Sequence, residues 1–267
     1  MKMLILRLQG PLMAFGDMAV DEIRPTDTLP GLSQMTGLIA NALGWTFQDR
    51  ERLQRLQDRL RIAAREDCPG RSLRDYQTAQ LNSDDKLWRS DGGVGLREGG
   101  FSGYFTAQRY RDYRADSAVT VLVSLTPADE FPALEDIAEA LQRPARPLFV
   151  GRVSCPPALP VCWEKDGKVI IEAESFEAAF ARVGPRATPS DSLNLRMAGN
   201  HAVTVEWPLS AEEAQSAGGD RSVHVMERCD RRRWVENIHG GRRLVWRQRM
   251  PLPSISQLPA KEDRHDS

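Results

Sequence analysis

The sequence predicts an α+β fold: a ferredoxin-like core on the plan of an RRM, a long β-hairpin insertion, and a β-rich C-terminal half. Three observations carry this expectation. Strand and helix periodicities follow one another as strand, helix, strand, strand, helix, strand over residues 3–150. About 50 residues separate the second and third of those strands, and they hold two aromatic-and-basic segments around a glycine-rich stretch. Beyond Gly151 the chain is dominated by short β-branched and aromatic runs.

The first strand is Met3-Leu4-Ile5-Leu6-Arg7-Leu8, ended by Gly10-Pro11. Turn signals at Gly16-Asp17, Arg24-Pro25-Thr26 and Leu29-Pro30-Gly31 precede a helix from Ser33 to Leu43. Met35, Leu38, Ile39, Ala42 and Leu43 share its apolar face, Ser33 is the expected N-cap, and Gly44 the stop. Gly37 inside this helix costs about 1 kcal/mol relative to alanine, which fits close packing, a nearby ligand or simple tolerance. An amphipathic helix over 51–57 leads into Leu60–Arg65, whose alternation is that of a half-exposed strand. Residues 117–126 form the clearest strand, rich in β-branched side chains. Pro132 opens a helix over 133–142, acidic on its outer face, and Leu148-Phe149-Val150 is the last core strand. In the second half, strands are expected at 159–164, 168–172, 201–207, 222–228 and 243–248, with a helix near 175–183.

These elements divide the chain into a core over residues 1–155, with the hairpin arm at 73–114, a β-rich subdomain over 156–250, and a disordered tail at 251–267. The arm carries Leu73-Arg74-Asp75-Tyr76-Gln77-Thr78 on one side and residues 104–114 on the other. Gly92-Gly93 and Gly99-Gly100 mark its tip, and residues 210–220 read as a polar, acidic loop.

The chain has 267 residues, 41% apolar and 27% charged, in the range of a soluble globular protein. It contains no apolar run of the roughly 18 residues a membrane span needs, and the N-terminal apolar stretch is too short for a signal peptide. The expectation is a cytoplasmic protein without membrane contact. Cys68, Cys155, Cys162 and Cys229 lack any CxxC spacing, so neither a metal site nor a cofactor is expected.

The net charge of −1 argues against a protein that simply coats nucleic acid, but the charge is unevenly distributed. Residues 129–141 hold five acids and no base, whereas residues 221–249 hold nine arginines against three acids. Arginine makes up 31 of the 36 basic residues, and its planar fork suits phosphate. A general codon preference explains that bias equally well, so only the clustering counts.

Catalytic signals are sparse. The histidines are His201, His224, His239 and His265, so the first 200 residues contain none, and no GxSxG, HExxH or P-loop pattern occurs. Binding signals are stronger. Arg109, Tyr110, Arg111, Tyr113 and Arg114 interleave cations with aromatics. Strand alternation puts Arg109, Arg111 and Tyr113 on one side and Tyr110 and Arg114 on the other. The pattern fits phosphate contact with base stacking, and it equally fits ordinary cross-strand pairs. Arg24, Ser33, Gln34 and Thr36 lie at the start of the first helix, where an anion or a plain serine cap is expected. Gly151-Arg152-Val153-Ser154-Cys155-Pro156-Pro157 leaves a strand through glycine, as an RNA-binding turn or a structural one.

Taken together, these segments resemble a known family. Leu8-Gln9-Gly10-Pro11-Leu12-Met13-Ala14-Phe15-Gly16 resembles its N-terminal motif. Arg24-Pro25-Thr26, Pro30, Ser33, Gly37-Leu38-Ile39 and Leu43-Gly44 follow in the family's order. Residues 73–78, Tyr113, Val119 to Pro127 and Gly151 to Pro156 complete the likeness over residues 3–160. The family is CasD, the fifth Cas-protein class of the RAMP superfamily, as it occurs in type I-E CRISPR Cascade.

The resemblance implies a non-catalytic subunit with a ferredoxin-like core and a β-hairpin thumb. It further implies partners: the 5′ handle of the guide RNA (crRNA), the backbone subunits, the large subunit that reads the PAM, and target DNA nearby. Handle binding is carried onto Arg24, Ser33, Gln34, Tyr76, Gly151, Arg152 and Ser154, which fall within matched motifs. Thumb contacts are carried onto Arg109, Tyr110, Arg111 and Arg114 by position and composition. Relatives in the type I-C system cut repeat RNA without metal, using tyrosine, lysine and histidine. That is the alternative activity, and the absence of histidine before His201 speaks against it.

Overall fold

The computed structural model describes residues 1–19, 21–80, 86–88, 94–96, 106–184, 202–210 and 225–251. The glycine pairs at the expected arm tip, the acidic loop from residue 211, the tail from residue 252, and His201, His224 and His265 lie outside the described residues.

In chain order the elements are β1 (Lys2–Met13), β2 (Ile23–Arg24), α1 (Leu32–Ala42), α2 (Arg50–Arg59), β3 (Leu60–Cys68), β4 (Arg71–Gln80), β5 (Lys86–Trp88), β6 (Val94–Leu96) and β7 (Thr106–Leu125). They continue with α3 (Leu134–Gln142), β8 (Ile170–Glu172), α4 (Phe176–Arg182), β9 (Ala202–Pro208), β10 (Val225–Arg228), β11 (Arg232–Arg233), β12 (Ile238–His239) and β13 (Arg243–Pro251). One large mixed sheet runs in the order β10-β13-β9-β3-β7-β1-β8, and β2 and β4 also pair with β7.

β7 is the axis of this arrangement. Its second half, with Val119, Val121 and Val123, has the β-branched composition that suits a central strand. It lies antiparallel between β1 and β3, so Val121 faces Leu6 on one side and Ala64 on the other.

The strand pleat sends alternate side chains to two separate cores. On one face Leu4, Leu6, Leu8, Ile62, Ala64, Val119, Val121 and Val123 pack beneath Met35 and Ile39 of α1 and Ile137 and Leu141 of α3. On the other, Met3, Ile5, Ala63 and Leu122 pack with Phe176, Ala179 and Phe180 of α4 and with Val203 and Val205 of β9. Burying each phenylalanine stabilises the fold by roughly 1.5–3 kcal/mol.

The second core corrects one expectation. Leu60–Arg65 reads as half-exposed, yet almost every residue of β3 is buried, because α4 and β9 cover the face that local alternation leaves open. An RRM presents one sheet face to bases; here the corresponding face is roofed by Phe176 and Phe180.

Two more expectations are corrected. Leu148-Phe149-Val150 joins no sheet. The run is three residues long, bounded by Pro147 and by Gly151 at φ +99°, and Val150 is held by single hydrogen bonds from Ala14 and to Cys155. The edge beside β1 is taken instead by a bridge from Cys162 to Leu6 and by β8. The expected strand at 159–164 therefore reduces to that one bridge.

Ser33 is not the cap of α1. The N-cap residue is Gly31, two positions earlier, and the Asp230 carboxylate accepts the Leu32 N–H at 3.0 Å while the Asp230 carbonyl accepts the Ser33 N–H at 2.9 Å.

A partly buried ionic network carries Asp230. Arg228 binds Glu206 and Asp27, each at 2.8 Å. Arg243 reaches Glu206 at 2.9 Å and Asp230 at 2.8 Å, and Arg247 reaches Asp27 at 2.7 Å. Three arginines and three carboxylates thus join β9, β10 and β13 to the segment before α1.

Candidate nucleic-acid interface

The site is built where β7 changes partners. Past Ser117 towards its N-terminal end, β7 leaves β3 and pairs with β4, in register from Arg71 opposite Ala115 to Gln80 opposite Thr106. The break between β3 and β4, which run in the same direction along β7, holds Gly70 at φ +60°; a Cβ there would sit 2.2 Å from the Ala115 carbonyl, so only glycine lets the chain pass from one strand to the next so close to β7. On the other edge β2 adds a parallel step, Ile23 beside Tyr110 and Arg24 beside Arg111. Leu73 and Tyr76 on this ribbon are exposed, with Tyr76 at 51%.

The loop after α3 closes on the base of the ribbon. Gly151 brings its backbone against Ala14, where any Cβ would stand 1.8 Å from the Ala14 carbonyl. Arg152 then donates to the carbonyls of Asp112 at 2.8 Å and Arg24 at 2.9 Å, with its guanidinium 4.6 Å from the centre of the Tyr113 ring. The Tyr113 hydroxyl lies 3.4 Å from Ser154 Oγ, and Gln34 donates to the Ala14 carbonyl at 3.2 Å. Arg24, Gln34, Arg111, Gly151, Arg152 and Ser154 are therefore assembled at one place from four chain segments.

The other candidates lie apart from that cluster. Tyr76 and Tyr110 are direct cross-strand partners farther out on the ribbon, ring centres 5.1 Å apart. Arg109 donates to the Gln108 carbonyl. Ser33 sits at the Asp230 cap. Arg114 turns inward, its guanidinium held by Glu66 at 2.6 Å and by the Pro69 carbonyl.

The arginine-rich stretch 221–249 is likewise mostly engaged within the fold. Beyond the three arginines of the ionic network, Arg231 pairs with Asp58 and Arg242 with Glu227.

Two features of the site are missing from the sequence reading. Arg74 grips Asp112 through two hydrogen bonds of 2.7 and 2.9 Å. The hydrogen bond from Arg74, more than the charges of Arg74 and Arg152, holds the Asp112 carboxyl below its ordinary range. Tyr113, which the sequence marks as an interleaved aromatic and a matched motif position but not as a buried one, is 4% exposed and forms the platform for Arg152. The cation–π contact joins positions too distant along the chain for a local pattern to show.

What remains without a counter-charge is informative. Arg24 donates only to the Asp21 and Ile23 carbonyls, and among the described residues Arg24, Arg71, Arg109 and Arg111 have no carboxylate partner. Among the same residues, no three His, Cys, Asp or Glu side chains gather as metal ligands.

Residues 3–246 match the family model described as "CRISPR-associated protein (Cas_Cas5)". The chain belongs to this Cas5 family. It is 31% identical over 163 residues to the CRISPR system Cascade subunit CasD of Escherichia coli (strain K12), across 57% of this chain and 66% of that relative. The match thus spans just under two thirds of that Cas5 relative's length.

Two solved structures share the fold at 22% identity. A chain titled "CRISPR RNA-guided surveillance complex" superposes with a TM-score of 0.58 over 94% of this chain and 91% of its own. One titled "Crystal structure of Cas protein" superposes with a TM-score of 0.53 over 94% of this chain and 95% of its own. The mixed helix-and-sheet architecture around one large sheet is that of this Cas5 fold. No helix among the described residues is long and apolar enough to cross a membrane.

Proposed function

We propose that this chain is a non-catalytic, crRNA-binding subunit of a type I-E Cascade complex, working in the cytoplasm, gripping the 5′ handle of the guide and capping the backbone beside the PAM-reading large subunit. In this reading the order β3-β7-β1-β8 with α1 and α3 is a ferredoxin-like core spanning residues 1–155, and the β4/β7 ribbon is its thumb. Residues 156–250 are the β-rich second half. They roof the sheet face that an RRM would use, so the RNA is held at the thumb base and not on the sheet.

One observation carries the proposal: Arg24 and Arg111 are neighbours across β2 and β7, neither in an ion pair although Asp75 stands opposite Arg111 on β4, at the root of an exposed ribbon bearing Tyr76. Two adjacent guanidinium groups outside any ion pair bind consecutive phosphates, and an exposed tyrosine stacks a base for roughly 1–3 kcal/mol. Arg152 spends its donors on main-chain carbonyls, which makes it the clamp that positions Arg24 and Arg111.

The test is a crosslink map of handle RNA on the assembled complex, together with incubation of the purified chain with repeat RNA in EDTA. Crosslinks at Arg24, Tyr76 and Arg111 and intact RNA are expected. Crosslinks confined to other surfaces would remove the site, and cleavage without metal would move the chain to the endoribonuclease class.

A further inference from the structure

Away from the thumb base, the helical side of the molecule carries a preformed cleft of about 410 Å³ between the C-terminal part of α1, the start of α2 and the β11–β12 hairpin. Trp45, Phe47 and Trp234 form its apolar walls, Gly37 lies in its floor, and Arg146 and Arg232 line it without any carboxylate among the lining residues.

The hairpin wall is fixed to α2 by Gln57, which is 1% exposed. Its amide donates to the Arg232 carbonyl at 2.8 Å and accepts from Arg232 N–H at 3.0 Å and from the Trp234 indole at 3.2 Å. Arg232 stands between two rings, 5.5 Å from Phe47 and 5.0 Å from Trp234. Both lining arginines are held by neutral acceptors, Arg146 by Asn41 and the Trp45 carbonyl and Arg232 by Asn237.

Phe47 at the cleft is 66% exposed, and Val235, in the turn that follows Trp234, is 45% exposed, whereas Ile238 pairs with Arg233 on the hairpin's other face. Arg50 donates to the Val235 carbonyl and has no carboxylate partner among the described residues.

We infer that this cleft is a docking site for another protein subunit of the complex, which inserts a large apolar side chain flanked by aspartate or glutamate. Tryptophan and arginine around a desolvated pocket are the residue types that dominate protein interfaces. Arg146 already feels the charge of Asp49, but Arg232 and Arg50 have no carboxylate partner and call for carboxylates on the docking subunit. A nucleic acid fits less well, because exposed Val235 beside the cleft has no π face for a base and a phosphate backbone leaves such aliphatic surface wet. The inference rests on the proposed reading only in taking its partner from the same complex.

The experiment titrates each of the other protein subunits, purified without RNA, against the wild-type chain and against Phe47→Glu and Val235→Glu by biolayer interferometry. Handle RNA binding and thermal melting are measured on the same samples. Both positions are exposed, so folding is retained. A third variant, Gly37→Leu, fills the cleft from its floor, where a Cβ meets nothing nearer than Trp234 at 3.9 Å.

One subunit should bind the wild type, lose at least about tenfold in affinity to both glutamate variants and to the filled cleft, and bind the wild type more weakly as salt rises, while handle RNA affinity stays within about twofold. Equal binding of every subunit to all variants, no RNA-free binding to the wild type, or a loss confined to handle RNA would each overturn the assignment. None of these outcomes bears on Arg24 and Arg111, so failure here is separable from failure of the RNA-binding reading.

Discussion

Asp230 caps helix α1 from 198 residues away, its carboxylate 3.0 Å from the Leu32 N–H. Gly31 leaves room for it, since a Cβ there would approach the Asp230 Cβ to 3.1 Å. The same carboxylate takes three hydrogen bonds from Arg243, two of them shared by its Nε–H, and lies 3.5 Å from Arg228. One side chain thus stabilises the helix N-terminus and neutralises part of a buried cationic pair. Replacing a cap costs about 1 kcal/mol, whereas stripping a buried arginine of its carboxylate costs about 3–5 kcal/mol. Asp230→Ala should therefore lose several kcal/mol in urea denaturation. Asp230→Asn should recover only the capping share, about 1 kcal/mol. Equal stability of Asn and wild type would show that the charge contributes nothing.

Asp27 gives the ionic network a pH signature. Burial pushes its carboxyl upward, but the hydrogen bond from Arg247 and the charges of Arg228 and Arg247 outweigh this and hold it at about 2, against an ordinary 3.8. A carboxyl depressed in the folded state stabilises the protein fully above its unfolded pKa and loses that contribution as pH falls through its folded pKa. The contribution, roughly 2 kcal/mol, should be complete above about pH 5, fall mostly between about pH 4 and pH 2, and be gone near pH 1. The stability gap between wild type and Asp27→Asn, measured by urea denaturation from pH 6 to pH 2, should shrink over that window. A gap independent of pH would count against the pairing.

Gly151 should tolerate no side chain. At φ +99°, with a Cβ placed 1.8 Å from the Ala14 carbonyl, Gly151→Ala adds a backbone clash to conformational strain of about 1–3 kcal/mol. Gly16, at φ +66° with open space around it, carries the strain alone. Gly151→Ala should lower the melting temperature well beyond Gly16→Ala and should weaken handle RNA binding, because Arg152 moves with the loop.

The legible parts of this fold are those that local periodicity dictates. α1 and α3 are visible because one face of each meets the core and the helical turn writes that face into the sequence, while β1 and the second half of β7, buried on both faces, show as continuous apolar runs. β3 was misread because its second cover, α4, arrives more than 100 residues later. The cap of α1 was misread for the same reason: Ser33 is a good local cap, but Asp230 comes with a network of arginines that fixes its position. At the candidate site, the motifs around Arg24 and Gly151 marked positions that do converge. Alternation along β7 told which side Arg114 leaves the strand but not that Glu66 waits there.

The division of labour among three arginines at the thumb base gives the last prediction. Arg111 and Arg24 are in no ion pair, so their removal deletes phosphate neutralisation and, at Arg24, two solvent-exposed hydrogen bonds to nearby carbonyls for which water substitutes. Arg111→Ala and Arg24→Ala should each weaken handle RNA binding and reduce the log–log salt slope by about 0.7, with stability unchanged within about 0.5 kcal/mol. Arg152→Ala removes two hydrogen bonds to carbonyls and a cation–π contact, so it should lower stability by about 2–3 kcal/mol as well as affinity. Arg152→Lys keeps the charge but cannot span the Asp112 and Arg24 carbonyls with a planar fork, so it should restore little of either. A lysine that restored full affinity would show that Arg152 touches phosphate directly, and would move it from the positioning role to the binding one.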